Sequence, residues 1–185
     1  MAMKVADLLV EVLAEAGVDR IYGVVGDSLN GITDSMRAGK NLEWIHVRHE
    51  ETAASLLTLK QHELPVKMIV FRNDSLAFVE LEMKASGFVD FGTDLRNPEF
   101  ASMAEGAGIL GLKAETPEQV EPMIAQALKH DGPALVEVLV SRQELSMPPT
   151  ITLEQAKGFG LFMAKAVLSG RGDEIIDLAR VNLLR

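Results

Sequence analysis

Apolar residues recur at three- and four-residue steps through Val5, Leu8, Leu9, Val12, Leu13 and Ala16. That is the spacing of one helix face, and Gly17 follows as a stop. Residues 20–25 form a short apolar run that reads as a buried parallel strand. Gly26-Asp27-Ser28 then turns the chain, and Asp27 or Ser28 can cap a helix carrying Leu29, Ile32 and Met36. LEWIHV (42–47) is the next strand, and 50–62, rich in Ala and Leu, the next helix. VKMIVF (66–71) is the clearest strand and ends abruptly at Arg72-Asn73-Asp74. Residues 76–84 read as helix, 87–98 as loop, 98–107 as a short helix ended by Gly108, and 110–114 as a weak strand. Thr116 caps a helix with Pro117 at its first position, and Gln119 can complete a capping box. ALVEVLV (134–140) is a strong strand. Beyond Ser141, Met147-Pro148-Pro149 breaks regular structure. Residues 151–168 then read as helix, and Asp173 can cap a last helix to Arg185.

Strands and helices alternate, so the expected fold is α/β: a single three-layer domain with a mainly parallel sheet and a C-terminal helical tail. Ligands in such folds sit at the carboxyl ends of strands. Two such ends stand out, Val25-Gly26-Asp27 and Phe71-Arg72-Asn73.

Composition narrows the chemistry. The 185 residues are 48% hydrophobic and 24% charged, a globular balance. No cysteine is present, which removes disulfides, thiolate metal sites and cysteine nucleophiles. A formal charge of −9 argues against nucleic acid as a partner. No secretory h-region or membrane-spanning stretch is found, so the expected location is the cytoplasm. His46, His49, His62 and His130 have no metal-ligand spacing.

Several segments resemble the pyruvate oxidase and pyruvate:quinone dehydrogenase family of thiamine-diphosphate enzymes. AGVDRIYGVVGDSLNGITDSM and LEWIHVRHEETAA are similar to the start of that family's pyrimidine-binding domain. From LLTLKQHELPVKMIVF onward, including LVEVLVSRQEL, LEQAKGFGLFMAKAVLSGRGDEIIDLA and NLLR, the chain is similar to the last half of its diphosphate-binding domain. The resemblance jumps from one to the other near Ala54-Ser55. It implies a hybrid domain: 1–54 from the pyrimidine type, 55–145 from the diphosphate type, and 146–185 as the helical tail. The two source domains share one topology, so two strands from the first part are expected to complete the sheet of the second. The family's central flavin domain has no counterpart, and no FAD is expected.

The resemblance also assigns site residues. Glu50 matches the glutamate that hydrogen-bonds the aminopyrimidine of thiamine; a helix-start acid is the plainer reading. Asn73 matches the last asparagine of the magnesium motif, and the backbone oxygen of Ser75 a further ligand; a strand-end turn is the alternative. The motif's Gly-Asp-Gly start is missing, and the neighbour of Asn73 is Arg72, read here as a solvated strand-end charge rather than a phosphate ligand. Gly26, Asp27 and Ser28 match a loop that approaches the cofactor, and equally suit a capped turn. Phe78, with Val79 and Met83, matches the segment lining the substrate pocket, against a simple core role. The last helix, with Ile175, Ile176, Leu178 and Val181 beside Arg180 and Arg185, resembles a lipid-responsive tail. It suits either peripheral contact at the inner membrane surface or docking on the protein.

The implied function is at most residual binding of thiamine diphosphate and magnesium, with weak decarboxylation of a small 2-oxo acid in a homo-oligomer. The alternative is a non-catalytic oligomerisation or membrane-surface module.

Overall fold

The computed structural model describes residues 5–23, 29–39, 42–46, 56–142 and 152–183. In chain order the elements are α1 (Val5–Glu15), β1 (Arg20–Gly23), α2 (Asn30–Gly39), β2 (Glu43–His46), α3 (Leu56–Gln61), β3 (Lys67–Arg72) and α4 (Ala77–Ala85). There follow α5 (Phe100–Gly106), β4 (Leu110–Ala114), α6 (Pro117–Lys129), β5 (Ala134–Leu139), α7 (Leu153–Leu168) and α8 (Gly172–Leu183). These agree with the periodicity of the sequence. Gly17 stops α1 with φ of 79°, a conformation that glycine reaches without a Cβ clash. Gln119 Oε1 accepts the Thr116 and Glu115 N–H groups at the start of α6. Thr152 and Gln155 cap α7 in the same reciprocal way: Thr152 Oγ1 accepts from the Gln155 N–H and Gln155 Oε1 from the Thr152 N–H. One expected cap is corrected. α8 begins at Gly172, which puts Asp173 inside its first turn, where its charge favours the helix dipole instead.

The chain divides into two compact units. The larger holds Met3–Arg72 together with Asn97–Val140. Its strands are all parallel, as expected for an α/β fold. Among the described residues they form two ladders: β1 pairs with β2, and β3 and β4 flank β5. Among the described residues no ladder pairing joins the two. β1 and β2 are short, with outer residues exposed, whereas β5 is buried along almost its whole length. Apolar periodicity marks a strand but not the neighbour it pairs with. Both ladders nonetheless share one core, in which Leu9, Leu13, Ile32 and Met36 meet Val120, Ile124, Val136 and Val138.

Glu137 interrupts the apolar run of β5 and is fully buried. A carboxylate there must be neutralised. Arg72 at the end of β3 does so, with Nη1 2.8 Å from Glu137 Oε1, while the Ala101 N–H donates to Oε2 at 3.0 Å. The same guanidinium reaches Glu99 at 2.7 Å, and Glu99 also pairs with Lys113. The solvated reading of Arg72 is therefore wrong. Its side chain is only 14% exposed and belongs to an internal ion pair. The cause lies on another strand, sixty-five positions away, where local sequence gives no hint of it.

The smaller unit joins Asn73–Arg96 to Ser141–Arg185. Here α7 lies on α4 and α8 on α7. Phe162, Ala166 and Leu178 are its buried apolar residues. Gly158 lets α7 approach closely, since a Cβ there would lie 1.9 Å from the Ala85 carbonyl oxygen. Most of the remaining interior is ionic. Glu80 and Lys84, one turn apart on α4, are 3% and 2% exposed and paired at 2.6 Å. Lys84 also reaches Glu174 of α8 at 2.8 Å and lies 5.2 Å from the Phe162 ring centre. Arg171 joins Asp90 and Glu174, and Arg142 joins Glu80 and Asp94. The tail is docked on this segment of its own chain.

Three predictions follow from this packing. Gly158→Ala should destabilise the docked tail by about 2 kcal/mol, since the backbone it meets cannot yield; faster amide exchange in α7 with unchanged exchange in β5 would show it. Arg72→Met should cost about 3 kcal/mol by leaving Glu137 buried alone, and adding Glu137→Gln should recover part of that in a denaturation cycle. The third concerns pH. Burial pushes the Glu80 carboxyl up, but hydrogen bonds from Lys84 and Ser75, with the charges of Lys84 and Arg142, outweigh it and hold its pKa below the ordinary value. A carboxylate with a depressed folded pKa stabilises above the unfolded pKa, and that stabilisation is lost as pH falls through the folded value. The gap in urea midpoint between wild type and Glu80→Gln should therefore shrink as pH drops below about 4.5.

Candidate functional site

The strand end after β3 carries the chemistry that can be described. Asn73, Asp74 and Ser75 make a tight turn. The Ser75 N–H donates to Asn73 Oδ1 at 3.2 Å, an Asx-type turn, and Asp74 takes the left-handed conformation with φ of 54°. The turn is tied to the loop opposite. Ser75 bridges Asp94 in antiparallel fashion, the Leu76 N–H donates to the Thr93 carbonyl at 2.8 Å, and the Leu95 N–H to the Asp74 carbonyl at 3.0 Å. Ser75 is buried, and its Oγ donates to Glu80 Oε2 at 2.7 Å. Phe78 follows on the first turn of α4 and is half-buried.

Asn73, Ser75 and Phe78 thus fall within one short stretch. Glu50, Gly26, Asp27 and Ser28 lie outside the described residues, as does the junction at Ala54-Ser55. The residues that sequence reasoning missed are Glu80, Lys84, Arg142, Arg171 and Glu174. Glu80 and Lys84 carry a visible signal, an i,i+4 pair of opposite charge, but that pattern ordinarily marks a solvated helix face.

A carboxylate oxygen of each of Glu80, Asp90 and Glu174 lies within 4.8 Å of the others, close enough for a metal ion. The Lys84 ammonium and the Arg171 guanidinium are already the cations of this cluster. A shallow groove of about 600 Å³ lies elsewhere, lined by Leu110, Pro122, Ala125, Gln126, Lys129 and His130, and contains no candidate residue.

The Asn73–Ser75 turn fits one part of a magnesium–diphosphate site. Asn73 Oδ1 has a second lone pair beyond the one facing the Ser75 N–H, and amide and backbone oxygens are donors that magnesium accepts. The flanking carboxylates of Glu80 and Asp94 are engaged by arginine and lysine, so the oxygens that Asn73 and the Ser75 backbone offer are neutral ones.

The chain matches the model of the thiamine pyrophosphate enzyme N-terminal TPP-binding domain over residues 3–56, and that of the C-terminal TPP-binding domain over residues 51–138. It is 32% identical over 125 residues to YdaP of Bacillus subtilis, a thiamine pyrophosphate-containing protein, covering 68% of this chain and 22% of that protein. It is 24% identical over 163 residues to pyruvate oxidase of Lactiplantibacillus plantarum, covering 71% and 26%. Acetolactate synthases match as well. The chain therefore spans about a quarter or less of these curated relatives. Benzoylformate decarboxylase from Polynucleobacter necessarius shares the fold, with a TM-score of 0.53 at 15% identity over 77% of this chain and 34% of that one. Residues 3–138 are thus built from the two cofactor-binding domains of the thiamine pyrophosphate enzymes, and the chain belongs to that family.

Proposed function

We propose that the chain is a thiamine-diphosphate-binding-fold protein derived from a pyruvate oxidase or dehydrogenase, with at most residual cofactor binding and 2-oxo acid decarboxylation. The observation that carries this reading is the Asn73–Ser75 turn, which keeps an amide oxygen at the carboxyl end of a parallel strand. Magnesium would be held by Asn73 Oδ1 and the Ser75 backbone oxygen. Thiamine diphosphate, when bound, supplies the electron sink for decarboxylation. Glu50 would face its aminopyrimidine, and Phe78 the substrate. A homo-oligomer would bring Glu50 of one copy toward Asn73 of another, since an isologous interface exchanges such residues reciprocally. Flavin-dependent oxidation is not part of the proposal.

A second reading has its own observation. Arg72 stands beside Asn73 but is committed to Glu137, and the carboxylates near the turn are committed to Lys84 and Arg142. A protein that lacks the motif's Gly-Asp-Gly aspartate and whose Glu80 and Asp94 are already paired suits an assembly or membrane-surface module. Among the described residues no helix is long and apolar enough to cross a membrane, so such a role would be peripheral.

Titration with thiamine diphosphate and magnesium separates the two. Without the motif's Gly-Asp-Gly aspartate the expected dissociation constant is on the order of 0.1–1 mM, and Glu50→Gln should change it little. A tight, magnesium-dependent titration that collapses in Glu50→Gln would instead establish a rebuilt working site. Absence of any binding at millimolar cofactor would favour the module.

A further inference from the structure

Ser75 holds two of the groups that define the turn. Its N–H orients Asn73 Oδ1, and its backbone carries the bridge to Asp94. Ser75 is itself held at Oγ by Glu80, whose carboxylate is almost wholly buried. Both Glu80 oxygens are in use. Oε1 accepts from Lys84 at 2.6 Å, and Oε2 from Ser75 at 2.7 Å and from the forked guanidinium of Arg142 at 3.2 and 3.3 Å. Arg142 also grips Asp94, the residue that bridges Ser75. The turn is therefore clamped from two sides by one arginine, through Glu80 on the side-chain side and Asp94 on the backbone side. No other described contact fixes the Ser75 hydroxyl.

We infer that Glu80, braced by Lys84 and Arg142, is the positioning residue of the Asn73–Ser75 turn. It acts through the Ser75 hydroxyl to set the amide and backbone oxygens that a cation would meet. The inference deepens the cofactor reading above and rests on it for the cation. It does not make Glu80 a ligand. Its carboxylate is already met by Lys84, Arg142 and Ser75, so its influence on a bound cation runs through the geometry of the turn. Asp74 sharpens the point. A non-glycine residue in the left-handed region persists where its neighbours over-determine it, and its carbonyl is held by the Leu95 N–H on the same clamped loop.

The test uses the full chain with nitrogen-labelled amides and two readouts. One is hydrogen exchange at Ser75, Leu76 and Leu95. The other is magnesium titration at fixed thiamine diphosphate, followed on the side-chain amide of Asn73. Ser75→Ala deletes only the hydroxyl, while Ser75→Thr keeps a donor to Glu80. The expected result for Ser75→Ala is about tenfold faster exchange at the three amides and about tenfold weaker magnesium half-saturation, near 1.4 kcal/mol each. Exchange at Val136 and Val138 should not change, and Ser75→Thr should restore both readouts. Faster exchange with unchanged magnesium half-saturation would leave Glu80 a merely structural residue and overturn the inference. So would unchanged exchange, or a Ser75→Thr that behaves like the alanine. If the wild type shows no magnesium response, the cofactor reading fails, and the exchange arm alone decides whether Glu80 positions the turn. Should Ser75→Ala lose the folded core, Arg142→Lys, which keeps the charge but not the fork, is read by the same criteria.

Discussion

A carboxylate taken out of water has to be met by a cation, and this requirement organises both units of the protein. In the larger unit it fixes what can end β3, because Glu137 lies in the middle of an otherwise apolar central strand. In the smaller unit it replaces much of the usual hydrophobic interior. Glu80, Asp90 and Glu174 draw in Lys84, Arg142 and Arg171 from three different parts of the chain. Such pairs are weak sources of net stability against well-packed apolar residues, yet breaking one side of them is costly. They give these segments one arrangement rather than several.

The elements were largely legible in the sequence because each is written locally. Helix faces, the capping residues Thr116 and Gln119, and the apolar runs of β3 and β5 depend on spacing and short-range chemistry alone. Strand pairing was less legible. Whether β1 and β2 extend the β3–β5–β4 ladder depends on contacts among distant segments, and a period of two carries no information about partners. The docking of α7 and α8 was half-legible: their apolar faces announce burial somewhere, and only the structure shows Phe162 and Leu178 buried against the segment that begins at Asn73.

The candidate site divides along the same line. Asn73 and Ser75 were found through resemblance to a motif, and their local geometry follows from the turn-forming habit of asparagine. Glu80 was invisible because an i,i+4 Glu–Lys pair looks the same on a wet surface and in a dry interior. Arg72 was misread for the same reason: charge is plain in a sequence, solvent exposure is not. Long-range ionic partners such as Arg72 and Glu137, or Arg142 and Glu80, leave no periodic trace.

The Arg72–Glu137 pair also constrains how the sequence can drift. Exchanging the arginine for a neutral residue strands an acid in the core, whereas losing the acid first leaves the guanidinium with Glu99. The arginine cannot be lost first without that cost, so the two positions form a ratchet that turns in one order. While the acid stands on the central strand, a neutral residue at 72 would require position 137 to change first or at the same time. The strand end is thereby held to its present chemistry by a residue on another strand, whatever selection acts on the turn itself.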